Sequence, residues 1–269
     1  EEAFSWPEFQ WARAVFDTRC ITVKIGRKEV TCLVPVADMC NHHENAQISK
    51  PSFDAELGAL VFRSLGQVPS GNQIFLNYGP LDNLELLTYY GFCADSNSND
   101  VFGIELEPED DGELGQARRA MLEHSGLGSE NYLRLEPGLS RKLIATVRLC
   151  LFRRSDLELG QIAPEGGPIS ASNEESAIHT LESTMHALLE SFPTTMEEDE
   201  EALKSMEDSD AVKKAAVICR MGLKRILLQA QSEIPAMRVT LDQFILDQGQ
   251  ANKRKGSEGT DENVKKLKM

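Results

Sequence analysis

The sequence predicts an α+β protein in which a β-rich first half is followed by a helical second half. From Cys20 to about Leu106 the apolar residues fall in short alternating runs broken by Gly- and Pro-containing turns, the period-2 signature of strands. From about Ala117 the period lengthens to 3.6, the spacing of helices that bury one face. With 41% hydrophobic residues over 269 positions, the chain has enough apolar mass for a core and too much for a disordered or fibrous protein.

In chain order, Ser5 is an N-cap with Glu8 three positions on, and Phe9, Ala12, Val15 and Phe16 follow at helical spacing. Strands are expected over 21–25, 30–36, 60–63 and 73–77, with turns at Gly26-Arg27 and at 69–71. The acidic stretch 105–115, which cannot bury its charge, is the expected linker between the halves. Ser140 then caps a helix burying Leu143, Ile144, Val147 and Leu151. A second stripe runs through Ile178, Leu181, Met185, Leu188 and Leu189, and a third through Val212, Ala216, Cys219, Leu223 and Leu227, with a loop at 163–168. The tail 249–269 carries Lys253-Arg254-Lys255 and Lys265-Lys266-Leu267-Lys268 among Gly, Ser and acidic residues. Disorder is expected there, either as a plain charged terminus or as a two-part nuclear-import signal.

Composition excludes whole classes of partner. Lys plus Arg at 28 against Asp plus Glu at 43 gives a net charge of −15, which repels phosphate backbones and anionic membrane surfaces. Nucleic acid and membrane are therefore not expected as partners, and no apolar run reaches the roughly 18 residues of a membrane span. The six cysteines, Cys20, Cys32, Cys40, Cys93, Cys150 and Cys219, form no Cys-x-x-Cys pair; free thiols in a reducing compartment and no structural zinc are expected. An intracellular location follows, cytoplasmic or nuclear, or plastid if a transit peptide lies upstream. The chain opens at Glu1 almost inside a helix, so an upstream segment is expected.

Two segments of the β-rich half carry chemistry. One is Pro35-Val36-Ala37-Asp38-Met39-Cys40-Asn41-His42, after a strand. The other is Gly71 to Gly79, ending in Asn77-Tyr78-Gly79 and followed by Asn83-Leu84-Glu85-Leu86-Leu87-Thr88-Tyr89-Tyr90-Gly91-Phe92. These resemble the Asn-His motif and the tyrosine strand of SET-domain methyltransferases. Their form is most similar to the group of the Rubisco large-subunit lysine methyltransferase and the actin-histidine methyltransferase. Phe192 to Asp199 and the basic Arg220 to Arg225 resemble that group's C-terminal domain, so the resemblance covers about residues 1–240. It implies the C-terminal portion of a SET domain over 1–106 and a helical Rubisco-methyltransferase-type substrate-binding domain over 117–240. The family's N-terminal strands, with the Gly-rich loop that holds part of the cofactor, have no counterpart here.

By that resemblance the function is S-adenosyl-L-methionine-dependent methylation of lysine on a non-histone protein docked by the helical half, with a monomer as the expected assembly. Tyr78 is the implied catalytic tyrosine. Cofactor contacts fall to Arg19, Asp38, Met39, Cys40, Asn41, His42, Tyr90, Gly91 and Phe92, and substrate contacts to Arg19, Asp38, Tyr78 and Tyr90. The residue chemistry agrees, because in-line methyl transfer needs positioning more than acid-base work, and an amine loses its proton more readily in a narrow aromatic channel. His42 is then a neutral hydrogen-bonder. No metal is expected: His42 and His43 are neighbours whose side chains diverge on an extended backbone, and His179, Glu182 and His186 form a solvated stripe opposite an apolar face. Two alternatives stay open, a histidine acceptor and a non-catalytic protein-binding module.

Overall fold

The computed structural model describes residues 4–159 and 167–266; the side chains of 157–159, 208 and 251–266 are outside that description. The chain divides into two compact units. One comprises residues 1–100 with 206–219, the other 101–205 with 220–269. The expected 163–168 loop lies mostly outside the described residues.

In the first unit the capping box forms as expected: Ser5 accepts from the Glu8 amide and the Glu8 carboxylate accepts from the Ser5 amide, opening α1 (Trp6–Arg19). β1 (Cys20–Ile25) and β2 (Lys28–Leu33) pair antiparallel around Gly26, whose φ of 61° suits a residue without a Cβ. β3 (Asn41–His42) and β6 (Phe75–Leu76) form a two-residue parallel ladder, and β4 (Ser52–Asp54) pairs with β5 (Ala59–Val61). The strand expected over 73–77 is thus reduced to two residues, and Ile74, two positions before Leu76 in that span, is exposed. α2 (Asn83–Glu85), capped by Asp82, continues as a π-helical turn over Leu86–Tyr90 that Gly91 ends at φ 78°.

α1 is unusual in burying none of its residues. Trp6, Phe9, Trp11 and Phe16 are all more than half exposed, Trp11 by 70%. Trp6, Phe9 and Phe16 share one side of the helix, an exposed apolar face, while Trp11 lies on the opposite side.

The second unit holds most of the buried apolar side chains. β7 (Phe102–Glu105) pairs antiparallel with β8 (Glu130–Leu133), so residues expected to close the β-rich half belong with the helices. The reason is packing: this pairing puts Ile104 into the same cluster as Leu133. α3 (Glu113–His124), α4 (Arg141–Cys150), α5 (Ala171–Glu190), α6 (Met196–Ser205) and α7 (Ala211–Lys266) complete the chain. The acidic 105–115 stretch is not a free linker, since Arg118 and Arg119 pair with Asp111 and Asp110 at 3.0 Å each.

Leu143 and Val147 of α4, Ile178, Leu181 and Met185 of α5, and Ile226, Leu227, Ala230 and Ile234 of α7 form one core. Each fully buried Leu or Ile there contributes about 1.5–3 kcal/mol. The stripe expected on α7 forms in part: Cys219 and Leu227 are buried and Leu223 is half-buried, but Val212 and Ala216 are exposed, with Ala215, Val217 and Met221 buried beside them. The backbone of α7 also continues through 249–266, where disorder was expected; the Lys, Arg, Glu and Gln residues there are good helix formers. Arg148 and Glu174 form a buried bidentate pair at 2.7 and 2.8 Å. No described helix is long and apolar enough to cross a membrane.

Candidate active site

The parallel ladder β3–β6 sets Asn41 beside Phe75 and His42 beside Leu76, so the two motif segments run side by side. Just past the ladder, the Tyr78 amide donates to His42 Nδ1 at 3.1 Å and the Tyr78 hydroxyl donates to the Cys40 carbonyl at 2.7 Å. His42 accepts here, so its ring is neutral. Burial, and then the neighbouring His43, hold its pKa below the ordinary 6.5. Burial likewise raises the Tyr78 phenol, as does the nearby Tyr90, so the hydroxyl keeps its proton.

Four rings pack together. The Tyr78 centroid lies 5.1 Å from His42 and 5.0 Å from Tyr90, and Phe92 is 6.2 Å from both His42 and Tyr90. Arg19, in the last turn of α1, donates from Nη1 to the Asp38 carbonyl at 2.9 Å and lies 3.8 Å from its carboxylate. Val36 introduces the 3-10 turn Ala37–Met39 with φ 77° and ψ −49°, a rare γ-like conformation for a β-branched residue, and it turns the chain so that Cys40 and Asn41 follow extended.

Two clefts share the wall made by Thr18, Arg19, Asp38, Cys40, Tyr78 and Tyr90. One, of about 390 Å³, is also lined by Ala14, Met39, Asn41, Tyr89 and Phe92. The other, of about 340 Å³, adds residues from 20–22 and 48–51 together with Asn77 and Gly79. All the sequence-identified residues except His42 and Gly91 line the first cleft. His42 faces a third, of about 410 Å³, with Phe92 and Cys93, and Gly91 ends the π-helical turn below Tyr90.

The motif reading missed the side chains that hold this wall in place. Asn83 is buried and donates from Nδ2 to Asp100 Oδ2 at 2.9 Å and to the Ala94 carbonyl at 3.0 Å, while its Oδ1 accepts from the Ala94 amide at 2.8 Å. Asn97 Nδ2 donates to the Leu81 carbonyl at 2.9 Å. Two amides and an acid in an apparently polar loop were the available signal. The Ile48-to-Pro51 lining carries no motif at all. His179 and His186 are exposed, Glu182 pairs with Arg238 at 2.8 Å, and no metal-type cluster occurs among the described residues.

Against known families, residues 109–227 match the model described as Rubisco LSMT substrate-binding. The actin-histidine N-methyltransferases of Papio anubis and Homo sapiens are each 29% identical over 246 residues, 86% of this chain and 41% of theirs. That of Gallus gallus is 28% identical over 254 residues, covering 88% and 42%. Among solved structures, the SET domain of LSMT bound to lysine and AdoHcy superposes with a TM-score of 0.71 at 21% identity, over 90% of this chain and 58% of that one. Rubisco LSMT bound to AdoMet gives 0.68 at 22%. The fold is therefore that of the SET-domain LSMT chains, and the sequence is similar to those of actin-histidine N-methyltransferases. It spans 41% of the length of the curated relatives named first.

Proposed function

We propose that this chain carries the tyrosine wall of an S-adenosyl-L-methionine-dependent protein-lysine N-methyltransferase, whose LSMT-type helical domain docks the protein substrate. The observation that supports it most is the position of Tyr78: its hydroxyl proton is committed to the Cys40 carbonyl, and its ring stands where two clefts meet. The phenol oxygen keeps its lone pairs for an incoming N–H, and so it orients an amine without taking its proton. Tyr78 and Tyr90, 5.0 Å apart, offer ring faces that suit an ammonium approaching the site better than a neutral imidazole. The same walls exclude water and favour the neutral, nucleophilic amine once it is seated.

The 390 Å³ cleft combines a guanidinium, a carboxylate, an amide and ring faces, the donor set that a zwitterionic sulfonium nucleoside calls for. S-adenosyl-L-methionine, when bound, supplies an electrophilic methyl group. Asn41 and His42 would hold its amino-acid and adenine portions and Gly91 and Phe92 its adenine side, with Arg19, Asp38, Met39 and Cys40 forming the cleft beside them.

A histidine acceptor is the second reading, favoured by the names of the relatives that match at 28–29%. A non-catalytic binding module is the third, favoured by the uncovered aromatic face of α1. Calorimetry and label transfer separate the three. This chain alone binds S-adenosyl-L-methionine weakly. Fusion to the N-terminal part of the Rubisco LSMT SET domain raises affinity more than tenfold, about 1.4 kcal/mol. The fused enzyme labels lysine in a protein mixture. Label on histidine alone would replace the acceptor, tight binding by the isolated chain would show that the cofactor needs no further segment, and cofactor binding with no label on any protein would favour the module.

A further inference from the structure

The helical unit has a groove of about 820 Å³ of its own, between the C-terminal end of α5, the Phe192-to-Thr195 turn, the start of α6 and one face of α7. Its floor is apolar: Leu189, Phe192 and Met196 are half-buried, and Leu228 is 42% exposed. Its rim is anionic, with Glu190, Glu197 and Glu198 all exposed; Glu190 lies 3.3 Å from His186 Nδ1, and Glu198 accepts from the Thr195 amide at 2.8 Å while keeping its charge at the rim. The one lysine in the lining does not offset that rim. Lys224 is buried, and its ammonium is turned inward onto the Thr194 hydroxyl at 3.2 Å, the Thr195 carbonyl at 3.0 Å and the Asp199 carboxylate at 2.6 Å. The ammonium also lies over the Phe192 ring, Nζ 5.3 Å from the centroid, so its charge is spent inside the groove wall.

We propose that this groove docks a basic segment of the protein substrate, one that places an apolar side chain on the Leu189–Leu228 floor and Lys or Arg side chains against the three glutamates. The proposal rests on the methyltransferase reading for the word substrate, but the docking itself needs no methyl transfer. Charge complementarity selects the partner. Three carboxylates around an apolar floor attract a cationic amphipathic peptide and repel an acidic one, and a rim of exposed charges acts mainly on the rate of encounter and on specificity. The groove lies mostly within the stretch matched as substrate-binding, residues 109–227, with Leu228 just beyond its end.

The test is fluorescence anisotropy on the whole chain with two fluorescein-labelled twelve-residue peptides, one alternating lysine and leucine, the other glutamate and leucine. The lysine peptide binds and the glutamate peptide does not. The double variant Glu190→Lys, Glu197→Lys weakens binding at least tenfold, and Leu228→Ser weakens it severalfold. A control with the same change of charge, Glu200→Lys, Glu201→Lys, alters exposed residues of α6 outside the groove and leaves affinity within twofold. Circular dichroism melting of each variant confirms that all remain folded. Equal losses in the groove and control variants would reduce the effect to the net charge of −15 and overturn the proposal, as would absence of binding. Binding that strengthens when residues 250–269 are removed would assign the groove to the chain's own basic tail instead. Because the readout is binding alone, an enzyme inactive for other reasons still returns a result.

Discussion

The hydroxyl of Tyr78 donates to the backbone carbonyl of Cys40 across 2.7 Å, tying together two motif segments that lie 38 positions apart in the sequence. Beside it the Tyr78 amide donates to His42 Nδ1, so one tyrosine is held at both its backbone and its phenol by the segment 40–42. That double attachment fixes the phenol's direction before any ligand arrives, which is the form of preorganisation that positioning catalysis requires.

His42 makes that attachment sensitive to pH. Its folded-state pKa lies below 6.5, chiefly through burial, so the unfolded chain takes up the proton first as pH falls. The stability it contributes is complete above pH 6.5 and is lost as pH drops through the window beneath. Denaturant midpoints measured from pH 8 to pH 5 fall for the native sequence. His42→Gln is less stable at pH 8 and lacks this part of the slope. A slope unchanged by the substitution would remove His42 as its source.

Asn83 should be worth more than its size suggests. It bridges Asp100 and both backbone groups of Ala94, and it is almost fully buried. Asn83→Ala removes one hydrogen bond from the Asp100 carboxylate, which keeps the residue 83 amide, and takes the side-chain partner from both backbone groups of Ala94, a loss of about 2 kcal/mol. Urea denaturation checks this, and a change under 0.5 kcal/mol, a small surface-type effect, would show that the network is not structural.

The sequence was legible where structure is local. Ser5 with Glu8 and Ser140 before Leu143 predicted helix starts that form as expected, because a cap is decided within four residues. The Gly26 hairpin is legible for the same reason. The face of α7 buried at its start was not: Val212 is more apolar than Ala215 yet is the exposed one, because the choice depends on what packs against them. The motif residues Arg19, Asp38, Asn41, Tyr78, Tyr90 and Phe92 do gather around one cleft. Their supports at Asn83, Asn97 and Asp100 act through contacts that no spacing rule reveals. The α1 aromatics have a helical spacing that promised a buried face, yet they are exposed, since burial needs a partner as well as a pattern.

Asp199 anchors the helical unit near the proposed docking groove. Burial pushes its carboxyl up, but hydrogen bonds from Arg220, Lys224 and Thr194 outweigh that and hold it well below the ordinary 3.8. With the folded pKa depressed, the stability it provides is present above the unfolded value and is lost as pH falls through the window below about 4. Asp199→Ala strands the buried Lys224 ammonium and costs about 3–5 kcal/mol at pH 7. Lys224→Met in the same background recovers part of that loss, and thermal melts of the single and double variants measure both. A double variant no more stable than Asp199→Ala would rule out the stranded charge as the cause.

The central claim is that Tyr78 orients the accepting nitrogen, and Tyr78→Phe tests it most directly, in the chain fused to the N-terminal part of the Rubisco LSMT SET domain. The substitution keeps the ring that packs against His42 and Tyr90 and removes only the hydroxyl. The account predicts that turnover falls by roughly a hundredfold, the scale of one lost transition-state hydrogen bond, while the affinity for S-adenosyl-L-methionine barely moves and the melting temperature drops by only about 2–4 °C, the worth of the bond to the Cys40 carbonyl. Near-native turnover, with a lower melting temperature, would contradict it and leave Tyr78 a packing residue.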